Sequence, residues 1–111
     1  TGLKILHTLY DKCLSTDIEI LDERYLLELI TNDEAIKGAK VLNIKTGEVE
    51  MHYASSVILA TGGYTRIYGN HSTNSKASTG DGIAVAIKAG AEVSDMEFIQ
   101  FHPTAMKNSA I

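Results

Sequence analysis

The chain has 111 residues, a 44% hydrophobic content and 10 basic against 14 acidic side chains, giving a formal charge of −4. That length suits one small domain, the mild acidity argues against a nucleic-acid-binding surface, and the apolar share is too high for an intrinsically disordered chain. The longest strongly apolar run, Val57-Ile58-Leu59-Ala60, falls far short of the ~20 residues a membrane-spanning helix needs.

Thr1-Gly2-Leu3-Lys4 lacks the charged start and apolar core of a secretory signal. The single cysteine, Cys13, can form no internal disulfide, and no Cys-x-x-Cys spacing offers a thiolate metal site, so a reducing compartment is expected. A first residue other than methionine, and a stop at Ala110-Ile111 directly after the most motif-like stretch, lead us to expect a piece of a larger protein.

In chain order, Leu3, Leu6, Tyr10 and Cys13 fall at helical spacing, widened by Ile5, Leu9 and Leu14, which predicts a helix over 2–14. Asp17 opens a β-rich region in which Ile18 and Ile20 alternate with charged residues, followed by a second extended piece over 24–30. Thr31-Asn32-Asp33-Glu34 reads as a polar turn, and 38–44 as another strand. Lys45-Thr46-Gly47-Glu48 is a hairpin turn in which the glycine can supply a positive φ. Val49, Met51 and Tyr53 then alternate with Glu48, Glu50 and His52, predicting a strand with the first set buried and the second wet.

Val57-Ile58-Leu59-Ala60 breaks the alternation and predicts a strand covered on both faces of a parallel sheet, ending abruptly at Thr61-Gly62-Gly63. The sequence from Tyr64 to Ser78 is polar and irregular. A second helix is predicted from Gly82 to Lys88 or Ala89, with Asp81 or Thr79 as its N-cap and Gly90 as its stop. Residues 92–106 form an extended tail. Such a chain is expected to bury a modest core, with part of its parallel sheet supplied from outside these 111 residues.

Three stretches could carry chemistry. The first is the strand that delivers Ala60-Thr61-Gly62-Gly63. Ligands of open α/β sheets bind beyond the carboxyl ends of strands, and paired glycines let a flat or phosphorylated ligand approach the backbone; the alternative is an ordinary tight turn. The second is Thr79-Gly80-Asp81-Gly82, where free N–H groups open a helix and the Asp81 carboxylate either accepts from ligand hydroxyls or caps its own helix. The third is Asp95-Met96-Glu97-Phe98-Ile99-Gln100-Phe101-His102-Pro103-Thr104. If that stretch is extended, Gln100 and His102 project together, and His102 either donates to a carboxylate or serves a structural role. His7, His52 and His71 show no metal-ligand spacing, and Asp22-Glu23 with Glu28 reads as a solvated surface. No Gly-x-Gly-x-x-Gly or phosphate-loop lysine motif is present, so a complete nucleotide site is not encoded here.

These stretches, in this order and together with Thr1-Gly2 and Leu6-His7-Thr8-Leu9-Tyr10, resemble the flavoprotein subunit family of succinate dehydrogenase and fumarate reductase, which also includes L-aspartate oxidase. The resemblance covers essentially the whole chain. It implies an α/β fold: part of a dinucleotide (FAD)-binding fold with an inserted antiparallel β-meander, plus the start of a capping domain. Residues 1–91 would be the later portion of the FAD-binding domain, with the meander at about 17–56, and 92–111 the start of the substrate-capping segment.

The resemblance further implies FAD contacts at Ala60, Thr61, Gly62, Gly63 and Asp81, and an adenine contact through the backbone of Leu26. It implies that His102 binds a carboxylate of a dicarboxylate substrate. The family's reaction is hydride transfer between a dicarboxylate carbon and the flavin, with an arginine moving the proton. Arg24 and Arg66 are the only arginines here and neither matches that motif, so no catalytic residue is assigned. The isolated chain is expected to be inactive and to hold FAD weakly or not at all.

The Leu6-to-Tyr10 stretch is more similar to the succinate dehydrogenase and fumarate reductase branch, whereas Pro103-Thr104-Ala105 is more similar to aspartate oxidase. The first branch would bring an iron–sulfur subunit and a membrane anchor as partners. Localisation would be cytoplasmic, or peripheral on the cytoplasmic face of the inner membrane. A non-catalytic α/β interaction module is the reading from a different class, and unpaired edge strands favour self-association in either case.

Overall fold

The computed structural model describes residues 1–33, 35–100, 102 and 104. Helix α1 spans Gly2–Leu14 and is followed by strands β1 (Arg24–Asn32), β2 (Ala35–Asn43) and β3 (Val49–Tyr53). A 3-10 helix at Thr65–His71 and helix α2 (Asp81–Lys88) complete the order.

Helix α1 matches the span its apolar spacing predicts. Lys12 lies in its last turn, where a cation complements the helix dipole. The Ser15 and Thr16 hydroxyls donate to the Lys12 and Cys13 carbonyls at 2.8 Å each, satisfying groups that the helix end leaves open. None of its side chains is buried, and Leu3, Leu6 and Leu9 are each 60% exposed or more.

The extended piece expected at Ile18 and Ile20 forms no strand, and both isoleucines are exposed. Alternation alone cannot hold a strand without a neighbour to bond. Glu23, at φ 51°, turns the chain into β1, which runs on through Thr31 and Asn32, two residues of the expected turn. Asp33 (φ 45°) makes that turn; Glu34 lies outside the described residues. Strand β2 starts at Ala35, earlier than expected, because pairing with β1 recruits those residues: Asn32 faces Ala35 and Thr31 faces Ile36.

The sheet is antiparallel throughout, in the order β1-β2-β3. Leu26 pairs with Val41 and Glu28 with Lys40, leaving Leu27 as an extra residue in β1. Glu28 and Lys40 form an ion pair across the two strands. The β2–β3 turn falls where the sequence places it. Gly47 takes φ +77° and donates to the Asn43 carbonyl at 2.8 Å, while Asn43 Oδ1 accepts from the amides of Lys45 and Thr46.

The apolar face of β3 is not buried as expected, whereas Glu48 and His52 are exposed as expected. Val49, Met51 and Tyr53 are exposed, and Glu50 is the half-buried member of the strand. Helix α2 packs on β1 and leaves the apolar face of β3 uncovered. On the other face Glu50 is drawn in by donors from all three strands. Arg24 Nε lies 3.0 Å from Oε2, Asn43 Nδ2 donates to Oε1 at 2.8 Å, and His52 Nε2 sits 2.9 Å from Oε2. These partners, Arg24 first, hold the Glu50 carboxyl down at about 2.

Val57–Ala60 forms no strand, contrary to expectation: Ile58 is 91% exposed, and no strand pairs with this run among the described residues. Val57 is half-buried, but the run lacks the cover on both faces that makes such a composition favourable. The core is correspondingly smaller than the composition suggests, with Val85 of α2 the one buried hydrophobic side chain among the described residues. The radius of gyration, 16.8 Å, exceeds the ~13 Å of a compact domain of this length.

Candidate functional site

The Ala60–Gly63 turn is built by the conformation of Gly62, whose φ of +75° is costly for any residue with a Cβ. Nothing lies within 4 Å of where a Cβ would stand on Gly62 or Gly63, so the turn offers bare, approachable backbone. Two contacts fix it against the start of α2. The Thr61 hydroxyl occupies the space a Cβ on Gly82 would need, and the Gly80 amide donates to the Gly63 carbonyl at 3.1 Å. Gly82 is therefore required by the close approach of Thr61.

Helix α2 begins at Asp81 and not at Gly82, and its N-cap is Gly80 in the left-handed conformation. No side chain caps the helix, which corrects the reading of Asp81 or Thr79 as its cap. The Asp81 carboxylate is exposed and accepts from the Thr79 hydroxyl at 2.8 Å. A negative group in the first helical turn is stabilised by the dipole there, and an exposed carboxylate keeps further acceptor positions for hydroxyl-bearing ligands.

Ala60, Thr61 and Gly62 line a cavity of about 340 Å³ whose other walls are Ile83 and Ala86 of α2 and the arm at Ala91–Met96. Ile83 and Ala86 went unassigned in the sequence, although with Gly82 they fall on one helical face by spacing. Tyr64, which directly follows the glycines, carries no predicted role of its own. Its hydroxyl donates to the Met96 carbonyl at 2.5 Å, and its position was signalled only by an aromatic ring opening a polar loop.

A larger cavity, about 390 Å³, lies between α2 and the meander, lined by Glu28, Lys40, Met51, Val85 and Lys88 among others. No expected site residue lines it, and its Lys40 is paired with Glu28, so the smaller cavity at the glycine turn is the better candidate.

Of the expected site residues, Gly63, Asp81, Leu26 and His102 do not line the turn cavity. Leu26 is half-buried in β1, beside the bulge at Leu27. Because β1 is an edge of the sheet, alternate residues along it present backbone N–H and C=O groups away from β2, the type of group an adenine edge can bond. His102 is exposed, with Nδ1 against the carbonyl of Thr104. The arm is not uniformly extended, since Asp95 at φ 54° makes a turn closed by Phe98 donating to the Asp95 carbonyl at 3.0 Å. The pairing of Gln100 and His102 on one face therefore cannot be carried back through Met96. Phe101 and Pro103 of the same motif lie outside the described residues.

Among the described residues, no group of three or more His, Cys, Asp and Glu side chains could hold a metal ion, and no helix is long and apolar enough to cross a membrane.

An open glycine turn locked to a helix start offers bare backbone that a flat or phosphorylated ligand can approach. The family model described as FAD binding domain matches residues 1–111, and the chain belongs to that family. Its fold is accordingly α/β, a segment of the FAD-binding fold with an antiparallel meander.

Among individual proteins, the chain is 39% identical over 112 aligned residues to the fumarate reductase flavoprotein subunit of Mycobacterium tuberculosis strain H37Rv, covering 100% of this chain and 19% of the relative. It is 42% identical over 106 residues to the succinate dehydrogenase flavoprotein subunit of Rickettsia felis, covering 96% and 18%. The solved structure of a mutant E. coli quinol fumarate reductase FrdA superposes with a TM-score of 0.92 at 37% identity, over 100% of this chain and 19% of that one. The chain thus spans about a fifth of the length of these relatives.

Proposed function

We propose that these residues form part of the cofactor cradle of an FAD-dependent oxidoreductase that interconverts succinate and fumarate. The observation carrying this reading is the bare Gly62–Gly63 backbone held against α2 beside the exposed Asp81 carboxylate. The residues fit the group. A turn with no side chain in front of it accepts a flat ring system, and a carboxylate accepts from the hydroxyls of a ribityl or ribose chain. Ala60, Thr61, Gly62, Gly63 and Asp81 would hold FAD, with Leu26 meeting the adenine through its backbone.

FAD, when bound, supplies the hydride chemistry, and the polypeptide orients the substrate and sets the charge around it. His102 would bind one carboxylate of the dicarboxylate, as a neutral donor or as imidazolium. The proton-moving group would be an arginine outside these 111 residues, and for that reason the chain alone would not turn over substrate. An iron–sulfur subunit and a membrane anchor would be the partners. Both named relatives are flavoprotein subunits of fumarate reductase or succinate dehydrogenase, which favours this branch over L-aspartate oxidase.

The test is turnover by the purified flavoprotein that carries this segment, with succinate, fumarate and L-aspartate offered separately. Interconversion of the first two is expected. Oxidation of L-aspartate alone would overturn the substrate assignment, and turnover of none of them would overturn the enzymatic reading.

A further inference from the structure

We propose that Tyr64 is a positioning residue, which sets where the arm bearing His102 stands relative to the glycine turn. The proposal rests on the functional reading above, in which the turn meets the flavin and His102 meets the substrate.

Tyr64 directly follows Gly63 and precedes the 3-10 helix. It joins the glycine turn to two stretches farther along the chain, at Gly80 and Met96. Its backbone continues the turn. Its Cβ lies against Gly80, where an added Cβ would stand only 2.8 Å away, so the absence of a side chain at Gly80 is what admits the ring. Its hydroxyl reaches 32 residues along the chain to donate to the Met96 carbonyl at 2.5 Å.

Met96 sits inside the turn that Asp95 opens, six residues before His102. The phenol therefore grips the arm at the point where it changes direction. An acceptor on the backbone is suited to this purpose, since it reports the position of the main chain and not of a mobile side chain. The ring is half-buried, which shields the bond from competing water.

Tyr64→Phe removes one oxygen and keeps the ring against Gly80. If the hydroxyl positions the arm, the variant flavoprotein keeps wild-type flavin content and absorption spectrum and a wild-type kcat. Its KM for the dicarboxylate rises roughly two- to tenfold, the range expected for one lost hydrogen bond that acts on substrate binding alone.

Amide hydrogen exchange supplies the second readout. Amides of residues 91–100 exchange faster in Tyr64→Phe, while those of β1 and β2 stay at wild-type rates. Unchanged exchange in the arm would overturn the proposal. Faster exchange with an unchanged KM would also overturn it, because the tie would then be structural only. Loss of flavin in step with activity would overturn it in favour of a direct role at the turn. A wild-type protein without flavin or dicarboxylate turnover would refute the functional reading instead, and the exchange comparison would still decide whether the hydroxyl holds the arm.

Discussion

Glu50 illustrates how a residue's environment is decided by its neighbours across the sheet. Period-two alternation assigns it to the wet face, yet Arg24 from β1, Asn43 from β2 and His52 from its own strand converge on its carboxylate. Charge-assisted bonds favour the ionised form, so the carboxyl is held at about 2, below its ordinary value of 4.5. A depressed carboxyl contributes stability that is fully present above the ordinary value and is lost as pH falls from there through the folded value. The side chain is about a quarter exposed, so solvent screening limits this contribution. Carbon-13 NMR of the Glu50 carboxyl should show a midpoint near pH 2, moving toward 4.5 in Arg24→Gln. A wild-type midpoint at the ordinary value would contradict the cluster. The turn was more legible: paired glycines predict an approachable backbone, and Gly62 takes the positive φ that such a turn needs. What stayed hidden was Thr61 against Gly82 and Tyr64 against Gly80, because both are contacts between stretches about twenty residues apart.

At the scale of elements, local patterns located both helices and the hairpin at Gly47, since each depends on neighbours within a few residues. Burial was not legible in the same way. Leu3, Leu6 and Leu9 spell an amphipathic helix, but their stripe meets no cover, just as Val49, Met51 and Tyr53 of β3 do not. The order of stability should follow the packing. Strand β2 is paired on both sides, β1 pairs with it and carries α2, whereas α1 is a 13-residue helix with no buried side chain, a length at which isolated helices are marginal. Hydrogen exchange of the 111-residue chain should therefore find the β1–β2 amides protected and those of α1 close to unprotected. Protection in α1 equal to that in β2 would contradict this arrangement.

At the scale of the whole molecule, a 44% hydrophobic composition is paired with a single buried hydrophobic side chain among the described residues. The apolar run Val57–Ala60 and the stripe on α1 meet little cover among the described residues. The chain matches about a fifth of the length of its relatives. Composition and periodicity could state that these surfaces are to be buried, but not what buries them. If the bare backbone at Gly62 and Gly63 is the face that receives FAD, a side chain placed there displaces the flavin, and Gly62→Val provides one. A branched side chain there fills the open space in front of the turn and opposes its positive φ. The measurement is the molar FAD content of the purified flavoprotein carrying this segment, with a folded state verified by circular dichroism. We expect close to one FAD per wild-type chain and at least tenfold less in Gly62→Val; full flavin content in the folded variant would mean that FAD does not lie against this turn.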